Sequence, residues 1–123
     1  MKLRTGSHRF RLAPLPGHPG FLSHTFRAIR MGDPRRYILK VGTHHPVARS
    51  FCRGIQPFQR EGAAYRWLGS WPNRTTPRCF LSTSSSNGTD GLLLLEEISR
   101  AQTGDQIRGL TFPQLKEAVR ALA

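Results

Sequence analysis

The sequence predicts an α+β fold in which an antiparallel sheet carries one packed helix and a second helix follows it. Three observations predict this class. Two segments with alternating side chains, 21–31 and 35–42, flank the turn-forming stretch "GDP", as the arms of a β-hairpin do. Residues 57–69 change to helical spacing. A second pair of apolar segments, 78–83 and 91–98, flanks a loop rich in Ser, Asn and Gly.

The first 20 residues are predicted to lack a regular element. Three prolines and two glycines lie between Pro14 and Gly20, and each proline removes a backbone N–H from any ladder of hydrogen bonds. We therefore expect residues 1–15 to form an irregular N-terminal segment.

The second arm of the predicted hairpin, "RRYILKVG", carries a charge where a buried strand normally has none. Strand alternation places Tyr37, Leu39 and Val41 on one face and puts Ile38 and Lys40 together on the other. Lys40 therefore shares a face with an apolar residue.

Residues 57–69 are predicted to form a helix that begins at Pro57 and ends at Gly69. Spacings of three, four and three residues define one face, which consists of Phe58, Glu61, Tyr65 and Leu68. A carboxylate within an apolar face is costly to bury unless a cation pairs with it. Glu61 therefore needs a positively charged partner.

Lys40 and Glu61 together suggest such a pair, because the helix must pack on the sheet that contains Lys40. An ion pair between a strand lysine and a helix glutamate can hold the lysine toward a phosphate. Spacing alone leaves the alternative that Lys40 is a solvated residue near the end of its strand.

The C-terminal part predicts a capped amphipathic helix. Thr111 and Gln114 form a capping box. The apolar stripe that follows consists of Leu115, Ala118, Val119 and Leu122. This stripe can dock on its own domain, pack against a continuation of the chain, or bind a partner, including a second copy through Leu115, Val119 and Leu122.

Charge and composition limit the classes of function. The chain of 123 residues has 19 Lys and Arg against 7 Asp and Glu, and residues 1–80 hold 15 of those cations with two acids. Such an excess favours polyanionic partners, although a general bias toward arginine gives the same count. Neither a long apolar run nor a secretory leader is visible, so we expect a soluble cytoplasmic protein without membrane contact. Cys52 and Cys79 are expected to be reduced.

Six segments, in this order, resemble the N-terminal lobe of kinase-like small-molecule phosphotransferases, in the aminoglycoside phosphotransferase and ecdysteroid-kinase-like branch. They are "GHPGFLSHTFRAIR", "RRYILKVG", "REGAAYRWLG", "RCFL", "GLLLLEEI" and "TGDQIRGLTFPQLKEAVRALA". The resemblance implies an ATP-binding lobe over residues 16–98. It also implies that residues 99–123 are a hinge and the first helix of an incomplete C-terminal lobe.

The resemblance also implies roles for individual residues. Lys40 would contact the α- and β-phosphates of ATP, Glu61 would hold Lys40, and Ile38 would border the adenine. The loop before the second strand would cover the phosphates with Gly17, Gly20 and Ser23, although it departs from the G-x-G-x-x-G pattern. The main chain of the hinge would read the adenine edge through Leu95, Glu96, Glu97 and Ile98.

The same family transfers the γ-phosphate of ATP, as its Mg²⁺ complex, to a hydroxyl group of a small molecule. Its catalytic aspartate lies in an H-x-D loop and a second aspartate binds the metal. No H-x-D segment occurs in this sequence, so we assign no catalytic residue and no metal ligand and expect weak or absent ATP binding without turnover. The acceptor is not indicated. A basic nucleic-acid-binding module and an interaction fragment of a kinase-like protein are the alternatives.

Overall fold

The computed structural model describes residues 2–5, 8–16, 20–72, 76–100 and 107–122, and for residues 2–5 it describes the backbone. The strands are β1 (Lys2–Thr5), β2 (His8–Pro14), β3 (Ser23–Arg30), β4 (Arg36–Gly42), β5 (Cys79–Ser84) and β6 (Gly91–Glu96). The helices are α1 (Pro46–Ile55), α2 (Pro57–Gly69) and α3 (Phe112–Leu122).

All six strands belong to one antiparallel sheet with the order β1-β2-β3-β4-β6-β5. The α+β class is therefore confirmed, as are the two predicted hairpins, β3–β4 and β5–β6, and the helix over residues 57–69. Strand β6 pairs with β4 as well as with β5, so the second hairpin extends the sheet begun by the first.

The expectation of an irregular segment over residues 1–15 is wrong for the residues described there. Strand β2 pairs with β3 from Phe10 opposite Arg30 to Pro14 opposite Phe26, and β1 pairs with β2. Phe10 and Leu12 point into the core, with 6 % of each residue exposed. In this stretch the apolar residues Phe10 and Leu12 alternate with arginines, a pattern that favours a strand. Pro14 lies at the last position of the strand, where its missing N–H interrupts no later pairing.

Two apolar clusters lie on opposite faces of the sheet. The first consists of Phe10, Leu12, Ala28, Tyr37 and Leu39, with Phe26, Val41, Leu92 and Leu94 packed against it. The second forms between the sheet and α2 and consists of Phe58, Leu93 and Leu95, with Ile38, Tyr65 and Cys79 at its border. The predicted separation of Tyr37, Leu39 and Val41 from Ile38 is confirmed.

Helix α1 was not predicted from the sequence. It begins at Pro46 and buries Ala48 and Cys52, one turn apart, while Arg49 forms a salt bridge to Asp90 in the β5–β6 connection. Gln56 adopts a left-handed conformation with φ 48°, which ends α1 and lets α2 begin at the next residue. The two helices therefore join without a loop.

Helix α3 has the predicted capping box. The amide of Thr111 donates to Gln114 Oε1 at 2.9 Å, and the amide of Gln114 donates to Thr111 Oγ1 at 3.4 Å. The stripe is exposed, with 48 % of Leu115 and 74 % of Leu122 accessible. Self-association through this stripe stays a prediction.

No helix within the described ranges has the length and apolar character needed to cross a bilayer.

The β3–β4 turn contains a carboxylate, Asp33, whose ionisation should affect the free energy of unfolding. Asp33 Oδ1 accepts from the amide of Arg35 at 2.9 Å, and the Arg35 guanidinium donates to both carboxylate oxygens. The hydrogen bonds from the Arg35 side chain and then its backbone lower the pKa of Asp33 to about 2. The ionised form is thus favoured in the folded state.

We expect Asp33→Asn to reduce the Tm at neutral pH and to lose this effect in acid. Because the folded pKa is depressed, the stabilisation is present above about pH 4, where the unfolded carboxyl is ionised, and is lost as pH falls toward about 2. Melting curves of both proteins between these pH values measure it. A Tm difference that stays constant over this range would contradict the role given to Asp33.

Candidate functional site

Lys40 lies near the middle of the sheet, on the face that α2 covers. It pairs in register with Thr25 of β3 on one side and with Leu93 of β6 on the other. Its neighbour on the same face, Ile38, borders the cluster under α2. Lys40 is therefore held by strands on both sides and is directed toward the helix.

Glu61 of α2 meets Lys40 as the sequence predicted. Lys40 Nζ donates to both oxygens of the Glu61 carboxylate, at 2.7 Å to Oε1 and 2.8 Å to Oε2. About a quarter of the lysine side chain (26 %) and 30 % of the glutamate side chain are exposed. The ion pair is thus partly accessible, and two hydrogen bonds fix the position of the ammonium group.

Two glycines let α2 lie close enough for this contact. A Cβ atom on Gly62 would overlap Ser82 of β5, and one on Gly91 would overlap the ring of Phe58. Phe58 is itself almost fully buried against Leu93 and Leu95. The absence of side chains at Gly62 and Gly91 therefore sets the distance between α2 and the sheet.

We expect Gly62→Ala to destabilise the protein by about 1–3 kcal/mol, as overpacking of a tight contact does. The added methyl group must displace Ser82 or α2, and a displaced α2 moves Glu61 away from Lys40. Chemical denaturation measures the loss. The double variant Gly62→Ala, Ser82→Gly should recover most of it, and the absence of recovery would contradict the proposed contact.

A cavity of about 450 Å³ lies beside the ion pair. Its lining comes from the loop before β3, from Lys40, and from the first turns of α2, and consists of Gly20, Phe21, Leu22, Ser23, Lys40, Pro57, Phe58 and Glu61. Gly20 makes a tight approach, because a Cβ atom there would lie 3.1 Å from the carbonyl oxygen of Ser23. The structure thus brings Gly20, Ser23, Lys40 and Glu61 together, whereas Gly17 lies outside the described residues.

Of the residues predicted for the adenine end, Ile38 and Leu95 lie further along the same side of the sheet. Glu96 instead pairs with Tyr37, which lies on the other side. Leu95 is buried opposite Ile38, and Ile98 is exposed. The amide of Glu96 donates to the carbonyl of Arg78 at 2.8 Å, and that of Glu97 donates to the carbonyl of Arg36 at 3.3 Å. Both of these N–H groups are therefore already engaged in the sheet.

The two acidic side chains of this segment make structural contacts. Glu96 Oε2 accepts from the amide of Arg78 at 3.0 Å. Glu97 Oε1 accepts from Arg27 Nε at 2.7 Å and also lies 2.7 Å from the second guanidinium nitrogen of Arg27. The other Glu97 oxygen is buried without a hydrogen-bond partner. Arg27 thereby ties β3 to the end of β6.

Sequence reasoning missed Arg27, Phe21 and α1 as parts of this region. Arg27 is the register partner of Ile38, so a correct hairpin register alone would have placed it beside the predicted adenine residue. Phe21 stacks edge-to-face on Phe51 of α1, with ring centroids 5.9 Å apart. The spacing of Val47, Phe51 and Ile55 is a helical signal that could have revealed α1.

Among the residues that the structure describes, Lys40 is the one cationic side chain in the lining of this cavity. Glu61 is the one acidic side chain in its lining, and it is already paired with Lys40. Within the described residues, no three His, Cys, Asp or Glu side chains lie close enough to hold a metal ion.

No family model matches the chain, and a search of curated proteins found no similar sequence.

Proposed function

We propose that the sheet and α2 form the ATP-binding part of a kinase-like phosphotransferase, which transfers the γ-phosphate of ATP to a hydroxyl group of a small molecule. The observation that carries this proposal is the Lys40–Glu61 ion pair, with Nζ at 2.7 and 2.8 Å from the two oxygens, at the wall of a cavity capped by residues 20–23. The strand order β2-β3-β4-β6-β5 with one helix over the lysine is compatible with the small lobe of such enzymes.

Lys40 supplies the positive charge for the α- and β-phosphates in this proposal. A lysine that bonds both oxygens of one carboxylate has little freedom of rotation, and its partly exposed ammonium keeps N–H capacity for a phosphate oxygen. Glu61 is a positioning residue, because its contact is with Lys40. Gly20 and Ser23 provide backbone close to the phosphates, where no long side chain separates them from the ligand.

The base lies against Ile38 and the end of β6 in this arrangement. Because the amides of Glu96 and Glu97 donate within the sheet, the main-chain contact to the base is made at Ile98, beyond the last strand pairing. Leu95 acts through burial behind Ile38 rather than by contact with the base. The roles proposed for Glu96 and Glu97 are therefore to fix this segment, through Arg78 and Arg27.

The described residues do not supply a protein site for Mg²⁺. The cavity lining includes a single carboxylate, and the chain contains no H-x-D segment for a catalytic aspartate. We therefore assign nucleotide binding to this chain, derive no step through the metal, and expect no phosphoryl transfer by the chain alone. We expect weak ATP binding, with a Kd of about 1 mM, which corresponds to about −4 kcal/mol.

NMR titration of the ¹⁵N-labelled chain with ATP tests the proposal. We expect the amide signals of residues 20–23, Lys40 and Glu61 to shift together, and that of Ile98 to shift with ATP but not with inorganic triphosphate. Shifts absent from residues 20–23 and Lys40 at millimolar ATP would overturn the proposed function. If residues 20–23 and Lys40 shift with inorganic triphosphate as they do with ATP, and Ile98 does not shift with ATP, the phosphate site is supported and the base site at Ile98 is rejected.

A further inference from the structure

A second basic surface lies on the same side of the sheet as Lys40, over strands β1–β4. In β2 the residues on this side are Arg9, Arg11 and Ala13, since Phe10 and Leu12 point into the opposite cluster. Residues that pair in register form rows across the strands, and one row joins Arg11 of β2, Ile29 of β3 and Arg36 of β4. A parallel row joins Ala13, Arg27 and Ile38.

The basic face, defined here as Arg9, Arg11, Arg27 and Arg36, is open to solvent. Arg9, Arg11 and Arg36 are exposed and Arg27 is half-buried. The backbone register pairs Lys2 with Arg11 and Arg4 with Arg9. Glu97 is the acidic side chain that reaches this face, and it pairs with Arg27.

The spacing of these cations suits a phosphate chain. Alternate residues of one strand lie about 6.8 Å apart, which separates Arg9 from Arg11, and two strand spacings of about 4.8 Å separate Arg11 from Arg36. The arginines therefore form a grid with spacings of about 7–10 Å. Like-charged side chains gathered on one face repel one another, and a polyanion relieves this repulsion while it releases its own counterions.

We propose that the basic face binds nucleic acid through its phosphates, without preference for sequence. The positions on this side of β2, β3 and β4 contain no aromatic residue, so base stacking does not contribute. The apolar residues among the arginines, Ile29 and Ile38, are half-buried, which leaves little apolar surface to enter a bilayer. The exposed arginines of this face lie outside the lining of the cavity beside Lys40, whereas Arg27 and Ile38 also border the proposed base site.

Fluorescence anisotropy with labelled oligothymidine of about 20 nucleotides tests the surface. For three exposed arginines we expect a slope of log K against log salt of about −2 or steeper, at about −0.7 for each phosphate contact. The variant Arg9→Gln, Arg11→Gln, Arg36→Gln should weaken binding about tenfold or more. Replacement of the same three residues with Lys should retain most of the affinity, which also shows that the fold tolerates change there.

The matched control is Arg53→Gln, Arg60→Gln, Lys116→Gln, which removes the same charge at exposed positions elsewhere. We expect it to change the affinity less than about threefold. Equal losses in both triple variants would mean that net charge alone attracts the nucleic acid and would overturn the proposal. Tighter binding to phosphatidylserine vesicles than to the oligonucleotide, or no binding of the oligonucleotide at low salt, would also overturn it.

Discussion

Replacement of Lys40 by methionine is expected to lower the affinity of the chain for ATP by roughly 10- to 100-fold. A hydrogen bond to a charged group contributes about 1.5–3 kcal/mol, and each 1.4 kcal/mol changes a dissociation constant tenfold. Methionine keeps the unbranched shape of the side chain but leaves Glu61 without its cation, so the Tm of the variant is measured as well, to separate a folding defect from lost phosphate binding. NMR titrations of both proteins measure the affinity: from a Kd of about 1 mM the variant reaches about 10 mM or weaker, so its amide shifts at a few millimolar ATP should be a small fraction of those of the unsubstituted chain.

Glu61→Gln separates positioning from direct contact. Glutamine keeps the size of Glu61 but offers one carbonyl oxygen in place of the carboxylate that bonds Lys40 at 2.7 and 2.8 Å. Because Lys40 keeps its charge, we expect a smaller loss of ATP affinity, about 3- to 10-fold. Unchanged affinity for ATP in Lys40→Met would show that the cavity does not bind phosphate through this lysine, even if the ion pair is structurally correct.

The substitution Leu93→Ala is expected to cost about 2–5 kcal/mol of folding free energy, the range for a buried leucine that leaves a cavity. Leu93 is fully buried, pairs in register with Lys40, and packs under Phe58 of α2. Since small domains are stable by only about 5–15 kcal/mol, this loss removes a large part of the total. Denaturant unfolding followed by circular dichroism measures it.

Leu115→Ala on α3 is the matched control for Leu93→Ala. The same atoms are removed from a side chain that is 48 % exposed, so we expect a change within about 0.5 kcal/mol. A similar loss for both substitutions would mean that the cluster under α2 is not a structural core. If Leu93→Ala remains folded, weaker ATP binding is also expected, because Phe58 and Glu61 lie on the same helix.

The predicted ion pair shows how much of the candidate site can be read from residue patterns. Strand alternation put Lys40 on a face with Ile38, and helical spacing put Glu61 among apolar residues. Each charge is costly to bury without a partner, and pairing the two offsets part of that cost. The structure contains this contact, whereas its use in binding ATP is still a prediction.

The N-terminal strands and α1 show why the rest of the fold was not predicted. Prolines near Pro14 masked the alternation of Phe10 and Leu12, and β2 becomes a strand by pairing with β3, which follows it in sequence. Helix α1 has little apolar surface toward the sheet and is fixed in part by Arg49 and Asp90, which lie 41 residues apart. Such a long-range contact has no signal in the local sequence, although the spacing of Val47, Phe51 and Ile55 does mark a helix.

The sequence by itself determined the local elements: both hairpins, the bounds of α2, the cap of α3, and the faces on which Lys40 and Glu61 lie. Local chemistry decides these features, because turn residues, caps and periodicity act within a few positions. Only the tertiary structure decided how closely α2 approaches the sheet, through Gly62 and Gly91, and that the arginines of separate strands form one face. These features depend on strand register and on contacts between distant residues, which the order of residues alone does not display.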